Sequence, residues 1–418
     1  MASVLSRGAM TLFATAAGAL VADIYYAQPL LADIAGEFGR QPEQAGLIVT
    51  LAQLGYGLAV LLIVPLGDGV DRRRLVSAML AVCVAGLLAA SMSVSFAMLA
   101  IANFLVGVFS SATMVLVPYV ASHADDAERG RRTGQVMTGL LLGILLARTV
   151  SGLVAEWTSW RAIYALAGVA VTILAVALRR VMVTDPPRSA ARYRQLLGSL
   201  VTLVRVQPEL RRRAFYSFLG LGSFSLLWTG LTYLLSAPPY RYSTAAIGLF
   251  GLLGAAGAAS ASIAGRLGDL GLAGAMTGGF ALLLFGSWGA LALHMHSMIW
   301  LIAGVFALDA AAQGLQVTHQ SVLYSLDSEA RSRITAVFIT SGFIGMSLGS
   351  TLSGIVYDAR GWVGVCLVGG GLPAVLLLSW LVNTVRDRRH RGSDAAGELG
   401  GGAAWSSLAG KQPTQCPS

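Results

Sequence analysis

The chain has 418 residues, of which 56% are hydrophobic and only 12% charged, and its mean hydropathy is +0.70. A soluble domain carries about 25% charged residues, so a water-exposed globular fold is excluded. Disorder is excluded too, because it requires low hydrophobicity. The net charge of +9 is almost all arginine, set in short stretches between apolar runs; this placement reads as membrane topology and excludes a nucleic-acid surface. The three cysteines form no spaced framework, so neither a disulfide scaffold nor a metal site is expected, and no cofactor motif appears.

A helix that crosses a bilayer needs about 20 mainly apolar residues. In chain order such segments read as 9–31, 45–67, 75–92, 97–120, 134–155 and 162–178, then 214–236, 245–264, 275–294, 297–321, 334–357 and 363–384. The first carries Asp23 and ends in Gln28-Pro29, so it reads as a retained helix and not a cleaved leader. The predicted fold is therefore all-α and integral to the membrane, with twelve transmembrane helices. Residues 1–178 form an N-terminal six-helix bundle, and 179–213 a basic cytoplasmic linker with an amphipathic surface helix. A second bundle occupies 214–384, and a Gly- and Ser-rich disordered tail 385–418. Nearly all loop arginines fall on one side, which places both termini in the cytoplasm of a bacterial inner membrane.

The two halves resemble each other. At one constant offset Asp125 matches Asp327, Arg129 matches Arg331, Gly143 matches Gly345, Thr149 matches Thr351, Gly152 matches Gly354 and Trp160 matches Trp362. The offset covers an even number of spans, so the copies run parallel, as in one large class of transporters.

The loop after the second span reads Pro65-Leu66-Gly67-Asp68-Gly69-Val70-Asp71-Arg72-Arg73-Arg74, and its counterpart Gly265-Arg266-Leu267-Gly268-Asp269. These resemble the signature loop of the major facilitator superfamily, G-x-L-x-D-R-x-G-R-R. Val64, Gly69 and Asp71 depart from it in the first copy. The resemblance implies the major facilitator fold, with Asp68, Arg72, Arg73, Gly265 and Asp269 in a gate of breakable charge contacts. Gly134, Gly143, Ala147, Ser151 and Gly152 in the fifth span resemble the antiporter motif of the efflux branch, with Ala147, Arg148 and Ser151 in place of Gly, Pro and Gly. Small residues at this period let helices approach closely. Members of that branch carry a helix-4 arginine four residues before a glycine. Asn103 stands there before Gly107, and Arg148 is the expected substitute.

Asp23, Asp309 and Arg148 are the charges deep within spans. Each costs about 2.5–3.5 kcal/mol in a bilayer on insertion scales, so such residues face cavities and mark ion or substrate paths. Counted from the cytoplasmic ends, Asp23 and Arg148 lie about 21 Å deep and Asp309 about 16 Å, one shared layer. The expectation is an Asp23–Arg148 charge pair lining the cavity, with Asp23 or Asp309 carrying a proton. Tyr25, Tyr26 and Gln28 with Thr50, Gln53 and Tyr56 would form a polar, aromatic wall. Trp228, Thr229, Thr232 and Tyr233 would form another, with Gln313 and Gln316 from the tenth span. His319, His294 and His296 read as solvated.

These features point to a monomeric secondary transporter that exports a small amphipathic compound against protons by alternating access. Import or facilitated passage of a sugar or other metabolite is the runner-up. A non-transporting receptor would not need mid-depth charges, and the chain carries no nucleophile–base pair or P-loop to make it an enzyme or an ATP-driven pump.

Overall fold

The computed structural model describes residues 6–125, 127–184, 193–254, 257, 260, 263–264, 272–294, 297–324, 326 and 330–408. Among them there is no strand; nearly all are helical. The N-terminal part comprises α1 (Arg7–Ala22), α2 (Leu31–Glu37), α3 (Pro42–Leu62), α4 (Leu66–Gly69), α5 (Arg72–Ser91), α6 (Phe96–Ser110), α7 (Thr113–His123), α8 (Arg129–Trp157) and α9 (Trp160–Val181). It is followed by α10 (Tyr193–Val206), α11 (Pro208–Ser236), α12 (Thr244–Leu249), α13 (Ala273–Ala292), α14 (Met298–Tyr324) and α15 (Arg331–Leu408). Nine helical stretches among the described residues are long and apolar enough to cross a membrane, α6 and α7 counting as one stretch, Phe96–His123. Two shorter apolar helices, Arg7–Ala22 and Thr244–Gly254, stand where further spans are expected.

The helix starts follow local chemistry. Pro42 opens α3 and Pro208 opens α11, where a missing N–H costs nothing. Asp71 caps α5 by accepting from the Arg73 N–H at 3.0 Å, and Ser95 caps α6 by accepting from that of Met98 at 3.2 Å. The longest helix, α15, folds back at Gly361, whose φ of 59° is open to glycine at no steric cost. The helical backbone of α15 extends to Leu408.

Two expected spans are not continuous helices. The first ends at Ala22; residues 23–27 turn, and Gln28–Leu30 form a 3-10 turn before α2. Pro29 explains the break, since a proline cannot donate to the preceding turn and crowds its carbonyl. The eighth changes from α12 to a 3-10 segment at Phe250–Gly254, and most of the rest lies outside the described residues.

Glycines set the helix pairing. A Cβ on Gly139 would stand 2.1 Å from the Ala14 carbonyl oxygen, and one on Gly143 2.1 Å from that of Gly18, so α1 and α8 touch backbone to backbone. The same crossing recurs in the second half: Gly345 against the Phe218 carbonyl and Gly349 against that of Gly222, both at 2.1 Å, join α15 to α11. Gly143 and Gly345 are partners in the sequence repeat, so the two halves share one packing scheme at these crossings.

Among the described residues, two of the contacts between the halves run along α3 with α15 and along α8 with α12. Along α3 and α15 the contact is hydroxyl-rich. Ser350 donates to the Gly46 carbonyl at 3.5 Å, Ser347 to that of Thr50 at 3.1 Å and Thr340 to that of Gly57 at 3.0 Å. Along α8 and α12 the contact is confined to one end, where Thr149 donates to the Gly248 carbonyl at 3.0 Å and Gly152 meets the Thr244 backbone.

Candidate functional site

Arg148 lies two-thirds along α8, at the end where α8 meets α12, and is 3% exposed. Its Nε donates to Gln28 Oε1 at 2.6 Å. Three rings surround the guanidinium: Trp228 with its centroid 4.0 Å away, Tyr25 at 4.8 Å and Phe224 at 5.6 Å. Such cation–π contacts contribute about 0.5–2 kcal/mol each when desolvated. The break after α1 makes this possible, because it brings Tyr25 and Gln28 toward α8. Trp228 and Phe224 come from α11 in the other half.

Asp309, on α14, is 2% exposed and accepts from Trp228 Nε1 at 3.0 Å. It shares a cavity of about 30 Å³ with Arg148, Phe224, Gly254 and Gln313. A Cβ on Gly254 would stand 3.1 Å from Asp309 Oδ2, so the glycine keeps this wall close to the carboxylate. Trp228 thus stands between the two charges, its ring on the cation and its N–H on the anion.

Asp23 is elsewhere. Its Oδ2 accepts from Ser110 Oγ at 3.3 Å and from Cys83 Sγ at 3.7 Å, both within the N-terminal half, while Oδ1 has no hydrogen-bond partner. The expected Asp23–Arg148 pair is therefore corrected. Asp23 ends α1 and turns toward α5 and α6, whereas Arg148 turns toward Gln28 and α11. Ser110 and Cys83 went unread as its partners because nothing in their spacing marks them.

The remaining expected residues divide into those near Arg148 and those that brace a helix. Gln53 is buried at the contact between halves and accepts from Ser225 Oγ at 3.1 Å; its Nε2 is unpartnered. Tyr56 stacks on Phe343 across the α3–α15 seam, with centroids 4.4 Å apart. Tyr26 lines a groove between α1 and α8. Asn103 donates to the Leu99 carbonyl and accepts from Tyr164, which ties α6 to α9 within one half. Thr232 donates to the Gln28 carbonyl at 2.9 Å, a second tie between halves beside Arg148.

In the loop motif, Arg72 donates to the Gly67 carbonyl at 2.9 Å, and Arg73 to the Arg179 carbonyl at 3.0 and 2.7 Å. Both partners belong to the same half. The Asp68 side chain and residues Gly265 and Asp269 lie outside the described residues. In the helix-packing motif Gly143 and Gly152 make backbone contacts, and Ala147 and Ser151 are buried. Gly134 meets nothing within 4 Å, which removes it from the packing role: it lies on an exposed part of α8. Gly139 takes that part. It stands four residues before Gly143, a spacing readable in the sequence.

Two histidines are corrected. His319 is fully buried, with Nδ1 3.1 Å from Arg213 Nη1. His294 is buried against Trp362 and Tyr240. Both lie near helix ends, where aromatic neighbours cover them; His296 lies outside the described residues. At the rim of the N-terminal half, Glu37 accepts from Trp160 Nε1 at 2.5 Å and from Arg161. The Arg161 hydrogen bond holds its carboxyl below the ordinary value, with slight burial opposing.

Comparison with known proteins agrees with this architecture. The profile of the Major Facilitator Superfamily matches residues 11–350. The chain is 43% identical over 376 residues to Uncharacterized transporter YgaY of Escherichia coli O157:H7, covering 90% of this chain and 95% of that protein. It is 35% identical over 393 residues to Probable transporter SCO4007 of Streptomyces coelicolor, covering 91% and 88%. The crystal structure of peptide transporter POT in complex with sulfate superposes with a TM-score of 0.72 at 14% identity, over 90% of this chain and 94% of that one. The chain is a multi-pass membrane transporter and belongs to the major facilitator superfamily.

Proposed function

We propose that the protein is a proton-coupled secondary transporter that exports a small amphipathic compound, with two six-helix halves rocking about a central site. The observation that carries this reading is the placement of Arg148 and Asp309. Both are buried and not directly bonded to each other; Arg148 packs against Phe224 and Trp228 of the opposite half, and Trp228 also donates to Asp309. Charges in such a position are costly unless they serve a path, and movement of α11 relative to α8 would change what each one meets. The twelve spans of the sequence reading, the division into 1–178 and 214–384 about the linker 179–213, and the cytoplasmic placement of both termini in a bacterial inner membrane belong to the same proposal. So do a monomeric state and a gating role for the Asp68 loop.

Export is the first reading because the spacing of Gly143, Ala147 and Gly152 resembles the antiporter motif, and two of these residues meet backbone directly. One observation favours import as the second reading. Arg148 and Asp309 share one cavity, so an anion on the first and a proton on the second would favour each other by charge and travel together. Flux in proteoliposomes across a compound panel, with an imposed pH gradient of either sign, tests both. Uphill movement against the proton flow supports export and movement with it supports import. Flux indifferent to the gradient reduces the protein to a facilitator, and no flux of any compound rejects the transporter mechanism.

A further inference from the structure

The surroundings of Arg148 leave donors without acceptors. Gln28 spends its Oε1 on Arg148 Nε, which fixes the amide so that Nε2 is the free end. That Nε2 and Arg148 Nη2 are both buried and have no hydrogen-bond partner. Gln53 Nε2 is a third buried nitrogen in the same condition, on the helix that supplies Tyr56 to the seam. A buried donor left unpaired is costly, and the more so when it carries charge. Orphan donors on a guanidinium and on the amide bonded to it amount to a receptor lacking its acceptor. Arg148 opens into the cavity shared with Phe224, Asp309 and Gln313.

The chemistry of the acceptor follows from the donors. A guanidinium presents planar N–H groups that match the two oxygens of a carboxylate, and an amide N–H can take the second lone pair. Around this head the walls are Tyr25, Phe224 and Trp228, which offer faces to an apolar or aromatic body. Asp309 does not fill the role, since its Oδ1 is taken by Trp228 and it makes no direct bond to Arg148. We infer that the carried compound is an amphipathic organic acid, held by its carboxylate on Arg148 Nη2 and Gln28 Nε2 and by its apolar body on the three rings. This rests on the transport reading above but not on its direction. The present cavity of about 30 Å³ holds a water molecule, not an organic acid, so binding requires α8 to part from α11 and α14, which line the opposite wall.

The test uses the purified full chain and matched probes: phenylacetate and hexanoate, their amides phenylacetamide and hexanamide, and the cation 2-phenylethylamine. Binding is read from thermal melting and tryptophan fluorescence. The expected result is that each acid binds at least tenfold more tightly than its amide, with the amine weakest. Q28E places the protein's own carboxylate beside Arg148; it should remove the tenfold preference without lowering the melting temperature. R148K keeps the charge, loses the planar fork, and should lose most of the preference.

Equal binding of acids and amides in the wild type overturns the inference and assigns the orphan donors to water. A preference for the amine also overturns it, as does an unchanged preference in Q28E. Protein that fails this test yet moves another compound in proteoliposomes loses only the organic-acid assignment. Protein that binds acids but moves nothing under any gradient loses the transport reading instead.

Discussion

Asp23 and Arg148 are equally buried, yet they are held in opposite ways. Every hydrogen-bond partner of Asp23 comes from its own half, so the carboxylate and its surroundings can move as one body. Arg148 draws two of its three aromatic neighbours from the other half, and its partner Gln28 is tied there by Thr232. A charge held within one bundle is suited to carrying a proton through a rocking motion. A charge held between bundles is suited to sensing that motion. Burial alone does not separate the two environments; the origin of the partners does.

The largest expected effect concerns the frame that both residues share. Gly143→Leu puts a side chain where the Gly18 carbonyl oxygen stands 2.1 Å from a Cβ. It should cost several times the roughly 1–3 kcal/mol of ordinary overpacking and leave little folded protein in size-exclusion profiles. Gly134→Leu, which meets open space, should fold normally, and similar losses in the two variants would break the packing argument. Next, Asp23→Asn should lower gradient-driven accumulation at least tenfold while exchange without a gradient survives; normal pumping would remove Asp23 from the proton path.

A cross-link sharpens the comparison further. Thr50 and Thr351 face each other across the α3–α15 seam with their oxygens 3.1 Å apart. Oxidising the double variant Thr50→Cys, Thr351→Cys should arrest flux and a reductant restore it, whereas continued flux in the cross-linked protein would mean that this seam never opens. Trp228→Phe keeps a ring on Arg148 but removes the hydrogen bond to Asp309, a loss of about 1.5–3 kcal/mol for a bond to a charged group. Turnover should fall by about tenfold or more, and unchanged turnover would show that Asp309 needs no positioning.

The smallest effect belongs to the rim. The folded-state pKa of Glu37 is depressed, so the contact contributes stability above the ordinary glutamate value and loses it as pH falls through the lower, folded value. Glu37 is 42% exposed, so Glu37→Gln should cost less than about 1 kcal/mol at neutral pH. In melting curves the gap between variant and wild type should close on acidification.

Much of the scaffold was legible in the chain itself. Apolar run lengths, the arginine loops and the Gly143/Gly345 repeat led to a duplicated helical bundle because a bilayer admits few other solutions. The helix break at Pro29 was also written there, in a residue whose ring allows little else, although the span was read through it. Which charge meets which was not legible. Asp23 and Arg148 share a depth, and depth comes from counting residues, but direction comes from the turn at 23–27 and from Phe224 and Trp228 arriving from another half. Ser110 and Cys83 carry no mark of their role until the helices are assembled. Gly139 is marked in the sequence by its four-residue spacing from Gly143, a simpler signal than the motif that points to Gly134.

The hydroxyls along α3 and α15 give that contact a reversible character. Thr351 already donates to the carbonyl of Ser347, one turn back on its own helix, at 2.9 Å, while its oxygen lies beside Thr50. Serine and threonine on a helix have such an intrahelical acceptor within reach, so a side chain that lets go of the opposite backbone need not go unsatisfied. The halves are thereby fastened in the manner of a latch with two resting positions, firm when shut and undemanding when released.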